Sequence, residues 1–244
     1  MYGYAVPAFV AGAVALIAVV LAYFFLPESY IKSRQDNEVK KKENQIFGVK
    51  DFFDALTHPE LGTLLSIFFM TMFSFSLMQG TFALYTEHSL NLSARTNGLI
   101  FAYLGLVGIV VQLFLLKRIE NLFSEHRLII ITIILMAVAL GLIAVGTSVA
   151  MLLIAVTLLA LASGISRPVI TGYISKLTPE KEQGSIAGMN QSVAAVARLF
   201  GPLLGTFFYA QIGTKSPYFL ATVFLVITAL YAVNKLKPAK QVAS

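Results

Sequence analysis

Cysteine is absent from the 244 residues, which removes disulfides and thiolate metal sites. Histidine is scarce, and His58, His88 and His126 all fall near loops, so no histidine-based metal site is expected. Charge is scarce as well, at 12% of residues, against about 25% in soluble domains. Carboxylates are missing from the long apolar runs. All twelve lie in loops or at run ends: Glu28, Asp36, Glu38, Glu43, Asp51, Asp54, Glu60, Glu87, Glu120, Glu125, Glu180 and Glu182. No nucleophile–base set or metal-ligand set is visible in the runs, so neither an enzyme nor a cofactor is expected. Lys and Arg are absent ahead of the first apolar run, and no A-x-A-like site closes it. A cleaved leader is therefore not expected.

What is present is apolar length. Hydrophobic residues make up 57% of the chain, and the mean hydropathy is +0.80. About 20 apolar residues cross a bilayer. Seven runs qualify: 4–26, 61–85, 97–116, 128–145, 150–173, 186–209 and 218–233. Unbroken runs of this length exclude the alternating segments of a β-barrel. The expected fold class is all-α, a polytopic transmembrane helix bundle with seven spans and the lipid bilayer as its surroundings.

The net charge of +6 raises the question of nucleic acid, but the basic residues cluster in the loops. With the loop after the first run placed in the cytoplasm, fourteen of eighteen Lys and Arg fall on that side. Only Arg95 and Lys215 fall opposite, and Arg167 and Arg198 lie within runs. That asymmetry is a positive-inside pattern. It predicts an outside N-terminus, a cytoplasmic C-terminus and no nucleic-acid partner. The organisation is a first helix (1–26), a cytoplasmic loop (27–60), a six-helix body (61–236) and a cytoplasmic tail (237–244). In the loop, the Lys40–Lys42 run reads as solvated. VKDFFDALTHPEL carries Phe52, Phe53 and Leu56 among charges, a pattern for a short interfacial helix.

Polar residues are unevenly shared among the runs. The first, fourth and seventh hold no Asn, Gln or charge in mid-span. The second holds Thr71, Ser74, Ser76 and Gln79; the third, Tyr103 and Gln112; the fifth, Ser163, Ser166, Arg167 and Thr171; the sixth, Asn190, Gln191, Ser192 and Arg198. Polar groups in hydrocarbon must face protein or water. The second, third, fifth and sixth helices are thus expected to line an interior, and the others to face lipid. The order polar, polar, apolar occurs twice, as in two three-helix repeats.

The richest stretch is GISRPVITGYISKLTPEKEQGSIAGMNQSVAAVARLFGPLLG, residues 164–205, with a short charged loop at 176–183 between its two helices. Arg198 lies twelve residues into its run, about 18 Å along a core about 30 Å thick. Two roles are open to it: a cavity cation for an anionic group, or a structural donor to carbonyls beside Gly201-Pro202. Arg167, about six residues from its run's end, has either a snorkelling or gate-pairing role or a substrate role. Gln79, Asn190, Gln191, Tyr103 and Gln112 are further cavity candidates. Pro168, Gly201, Pro202 and Gly205 are gating or hinge candidates, with ordinary kinks as the plain alternative. Gly201/Gly205 and Gly184/Gly188 have the spacing for close helix contact.

YFFLPES (23–29) resembles the end of the sixth helix of the major facilitator superfamily, in its drug:proton antiporter, tetracycline-efflux-like branch. NGLIFAYLGLVGIVVQ (97–112), with Lys117-Arg118 and then Arg127, resembles the eighth helix and an eroded motif A. SRP (166–168) and GPLLG (201–205) resemble the tenth and eleventh helices. The resemblance covers the sixth through twelfth helices. It implies a secondary active transporter of small molecules, proton-coupled efflux, and a multi-pass place in the plasma membrane. The family's third, sixth, ninth and twelfth helices are peripheral, in agreement with the polar distribution. The first five family helices are not in this sequence, and they carry motif C and usually a membrane-embedded acid. A missing N-terminal transporter half is the implied partner, a small molecule the substrate, and a proton the coupling ion. The alternatives are a seven-helix receptor and a non-transporting membrane subunit. Against the receptor, the third run lacks an acid–Arg pair and the seventh lacks Asn-Pro or a mid-span Lys.

Overall fold

The computed structural model describes residues 5–25 and 58–236, all but a few short connections of which are helical. The chain divides into two compact units, Met1–Ile46 and Phe47–Ser244. Most of the predicted interfacial helix, nearly all of the loop 27–60 and the tail lie outside the described residues; the segment's end, Pro59 to Leu61, begins the next helix. The first unit contributes α1 (Ala5–Phe25), which contains no charged residue. At 1.5 Å per residue it is about 32 Å long.

The second unit holds α2 (Pro59–Leu90), α3 (Ala94–Leu122), α4 (Glu125–Val145), α5 (Val149–Leu177), α6 (Gln183–Gln211) and α7 (Ser216–Lys235). These six are long and apolar enough to cross a bilayer. Most run past the apolar runs at one or both ends, because capping rather than hydropathy ends a helix. Pro59 opens α2 at its first turn, where its missing N–H is no loss. Asn91 closes it in the left-handed conformation, at φ 53°. Ser93 accepts from Thr96 N to start α3, and Ser148 accepts from Met151 N to start α5. The connection from α5 to α6 is shorter than the predicted loop at 176–183. Lys176 still belongs to α5, Glu180–Glu182 form one 3₁₀ turn, and Gln183 begins α6.

The helices of the two expected triplets, α2–α4 and α5–α7, pack mainly across from one set to the other. The middle helix of each lies against the first helix of the other: α6 on α2, and α3 on α5. The third helices α4 and α7 pack together, and α2 meets α5. Between apolar helices in lipid there is no hydrophobic drive, so close backbone approach supplies the attraction. Both interlocking contacts use glycine for this. A Cβ on Gly201 would lie 2.5 Å from Ser76 Cβ, and one on Gly80 would lie 2.7 Å from Pro202. One on Gly164 would lie 3.2 Å from Val111 Cγ1 and 3.7 Å from Gly108 Cα. The Gly184/Gly188 pair departs from expectation: nothing lies within 4 Å of either Cβ position, so they make no close contact.

One expectation needs correction. The helices with mid-span polar groups do not all sit innermost. In the six-helix unit α3 is the least buried, and α6 is also largely exposed, while α4 is more than half buried. The outward surfaces of α4 and α7 are apolar, with Ile131, Ile134 and Val138 on one and Val223, Ile227 and Leu230 on the other. That suits lipid contact. Counting polar residues does not separate a face against a neighbouring helix from a face left open.

Candidate functional site

Most hydroxyls in these helices are no site at all. Thr71, Thr86, Thr132 and Thr228 return their hydroxyl to a carbonyl one turn back in their own helix. The groups left over mark the places of interest. Ser74 Oγ, Ser166 Oγ and Asn190 Oδ1 are buried and unpartnered among the described residues.

Arg167 is exposed on α5, and its guanidinium carbon lies 5.9 Å from the centre of the Phe75 ring on α2. That distance is within cation–π range. Phe75 was not anticipated. One aromatic among 19 phenylalanines carries no signal in sequence. Next to Phe75, Ser76 is pressed against Gly201 of α6. Arg198 lies one turn before Gly201 and is exposed. Phe75 and Ser76 of α2 thus carry contacts to α5 and α6 respectively, with Arg167 over the first and Arg198 one turn from the residue that meets the second. Both arginines lie well inside their helices. Arg167 is ten residues before Leu177, and Arg198 is fifteen after Gln183. Those separations are about 15 and 22 Å along their axes.

Other candidates join them by helix spacing. Gln79 is exposed four residues after Phe75, on the same side of α2, and Gln191 is exposed seven residues before Arg198 on α6. Tyr103 is exposed on α3, and its hydroxyl meets Thr157 Oγ1 of α5 at 2.9 Å, well away from the arginines. Gln112 is exposed in a π-helical turn, Val111–Leu115, beside the Val111–Gly164 contact. Asn190 is inside the bundle, 8% exposed, and not on the arginine face.

Among the hinge candidates, Gly201 and Gly205 are buried against Ser76, Leu77 and Thr81, and Pro202 packs against Gly80. Pro202 removes the donor for the Arg198 carbonyl, and Pro168 does so for Gly164. Thr171 Oγ1 donates to the carbonyls of Arg167 (3.0 Å) and Pro168 (3.2 Å).

Among the described residues, the carboxylates Glu60, Glu87, Glu120, Glu125, Glu180 and Glu182 lie at or near helix ends. Glu125 pairs with Lys176, joining α4 to α5, and among the described residues no acid pairs with either deep arginine. The described residues hold no cluster of His, Cys, Asp or Glu fit for a metal. At the other end of α4, the Tyr85 hydroxyl reaches the carbonyls of Ile143 (2.9 Å) and Gly146 (3.2 Å). Its ring packs on Tyr218, 4.9 Å between centres, and Lys215 Nζ donates to Gly146 O at 3.4 Å. That end is tied by several contacts that sequence reasoning missed, since each joins residues more than 55 positions apart.

Known proteins match this arrangement. The profile of the Major Facilitator Superfamily matches residues 1–120 and again 64–243. Multidrug resistance protein 1 of Bacillus subtilis (strain 168) is 29% identical over 239 residues, covering 98% of this chain and 59% of that protein. Tetracycline resistance protein, class D, of Salmonella ordonez is 27% identical over 225 residues, covering 92% and 55%. The crystal structure of the human organic anion transporter MFSD10 (TETRAN) superposes with a TM-score of 0.66 at 22% identity, covering 70% of this chain and 40% of that one. At that identity it speaks for the fold alone. The chain spans little more than half the length of the curated relatives it matches. Members of this family are transporters rather than enzymes, and a seven-helix receptor no longer fits. Matched along nearly its whole length and built of interlocked helix triplets, the chain is a multi-pass membrane protein that belongs to the Major Facilitator Superfamily.

Proposed function

We propose that this chain works in secondary active efflux of small molecules, coupled to protons, as one part of a transporter completed by an N-terminal set of helices. One observation carries the reading. Two arginines midway along membrane-crossing helices are exposed, and neither is paired with a carboxylate among the described residues. Charge at mid-bilayer is tolerated where a cavity, a substrate or a partner compensates it. The names of the relatives support drug efflux as the class: multidrug and tetracycline resistance. Lipid faces the apolar sides of α4 and α7, and the basic loops lie in the cytoplasm, with the chain in the cell membrane. The organisation is a first helix, a cytoplasmic loop, a six-helix body and a tail. Pro168 and the Gly201–Gly205 turn are the places where α5 and α6 bend during access change.

The test is reconstitution. The chain alone in liposomes is expected to show no proton-gradient-driven uptake of aromatic drugs, because no carboxylate lies in mid-span. Co-reconstitution with a five-helix N-terminal piece from a related transporter should restore it. Robust gradient-driven uptake by the chain alone, or none by the pair, would contradict the proposal.

A further inference from the structure

We propose that α3 and α5 share one hinge, made of the π-helical turn Val111–Leu115 and the break that Pro168 makes at Gly164, so that the two helices bend together at one level. It stands without the transport reading, which put bending in α5 and α6 and none in α3. Two breaks in neighbouring helices meet at a single contact. Pro168 has no N–H to give to the Gly164 carbonyl. Gly164 is also the residue that Val111 touches, since its Cβ position lies 3.2 Å from Val111 Cγ1 and 3.7 Å from Gly108 Cα. Val111 is where the π turn begins, and its carbonyl accepts from Leu116 N, five residues on.

Three physical points favour a hinge over two fixed kinks. The turn's own residues, VQLFL, include neither Gly nor Pro, so no local break of the usual kind forces it. Its buried residue is Val111, at 1% exposure, and Gln112 to Leu115 all lie open. The turn is thus held on one side, against Gly164, and free to rewind on the other. A π turn carries one residue more than the α-helix around it, so rewinding redirects the segment before it. On α5, bending at Pro168 costs little, because the Gly164 bond is already missing. Thr171 Oγ1 donates to the Arg167 (3.0 Å) and Pro168 (3.2 Å) carbonyls, a bond pattern that favours bending. The helices also run the same way and are tied before the breaks. Tyr103 meets Thr157 at 2.9 Å, eight residues ahead of Val111, about 12 Å along the axis. A bend in one helix is therefore passed to the other at two points. α3 is the least buried of the six helices, and segments with few buried contacts open locally at low cost.

The test is hydrogen–deuterium exchange of the full chain in lipid nanodiscs, resolved to single amides. In the wild type, amides at 112–116 and 165–167 are expected to exchange at least tenfold faster than those at 103–108 and 155–160. Pro168→Ala returns the missing donor to Gly164. It should slow exchange around the break in α5 and, across the contact, at 112–116 in α3 by at least threefold. In a Val111→Ala background, which thins the contact with Gly164, the same change should slow α5 alone. Exchange in the π turn no faster than in the rest of α3 overturns the hinge, as does slowing confined to α5 while Val111 is present. Should Val111→Ala not fold, the wild type and Pro168→Ala still decide the matter. Exchange is read without flux, so the two proposals fail separately. Coupled exchange with no uptake after co-reconstitution counts against the transport reading alone. Gradient-driven uptake with uncoupled exchange counts against the shared hinge alone.

Discussion

At the scale of single residues, position relative to a neighbour outweighs residue type. Gly201 and Gly172 are both helical glycines, yet a Cβ on the first would lie 2.5 Å from Ser76 Cβ and one on the second would meet nothing within 4 Å. Gly201→Ala should lower stability by about 1–3 kcal/mol through overpacking. Gly172→Ala should be neutral or raise it by about 0.5–1 kcal/mol, the difference in helix preference. Thermal unfolding of the purified chain in detergent separates the two, and equal midpoints would remove the close α2–α6 contact from the account. Arg198 gives a second test. Arg198→Gln in the completed transporter should abolish transport while folded protein remains in the membrane, and Arg198→Lys should be intermediate because the planar fork is lost. The measure is transport per folded molecule. Wild-type activity for Arg198→Gln would take Arg198 out of the site and leave it a structural donor beside the Pro202 break.

At the scale of the element, each helix presents faces that hydropathy averages away. On α4, Ile133 is fully buried and Ile134 is 48% exposed, one residue apart. Ile133→Asn puts an amide into the contact with neighbouring helices and should lower thermal stability by several kcal/mol unless it finds a partner. Ile134→Asn meets lipid and should reduce membrane insertion while leaving the folded fraction near normal in stability. A glycosylation-based insertion assay beside thermal unfolding reads both effects, and the reverse pattern would mean α4 turns the other way. The existence and order of the helices were legible in the sequence, because a run of 20 apolar residues has few other uses. Their ends were less so. Asn91, Ser93 and Ser148 are capping signals, and the hydropathy runs stop short of them. The π turn at Val111–Leu115 had no sequence signal that could be separated from its α-helical surroundings.

For the whole molecule, the asymmetry of basic residues makes a direct prediction. The chain has no cysteine, so single cysteines at Lys41 and Thr214 can be labelled without background. They should react with impermeant maleimide from opposite sides of the membrane, Lys41 from the cytoplasm. Labelling of both from one side would refute the orientation. Cross-linking offers a further check on the interlock of the triplets. A Cβ on Gly164 would lie 3.4 Å from Val111 Cβ, near disulfide spacing, so cysteines at those two positions should cross-link, and cysteines at Gly184 and Val111 should not.

The sequence by itself determined class and order. Scarcity of charge and the length of the apolar runs required membrane-crossing helices, since backbone groups in hydrocarbon have no other way to pair. The twofold recurrence of polar, polar, apolar runs predicted the triplets, and the residues in the 164–205 stretch marked the candidate arginines. Only the tertiary structure decided which polar groups share a surface. It placed Arg167 over Phe75, turned Asn190 inward, and set Tyr103 apart against Thr157. The reason is geometric. Helical spacing fixes which residues share a face of one helix. Which helix that face meets depends on where small residues let two backbones approach, and that is a property of pairs distant in the chain.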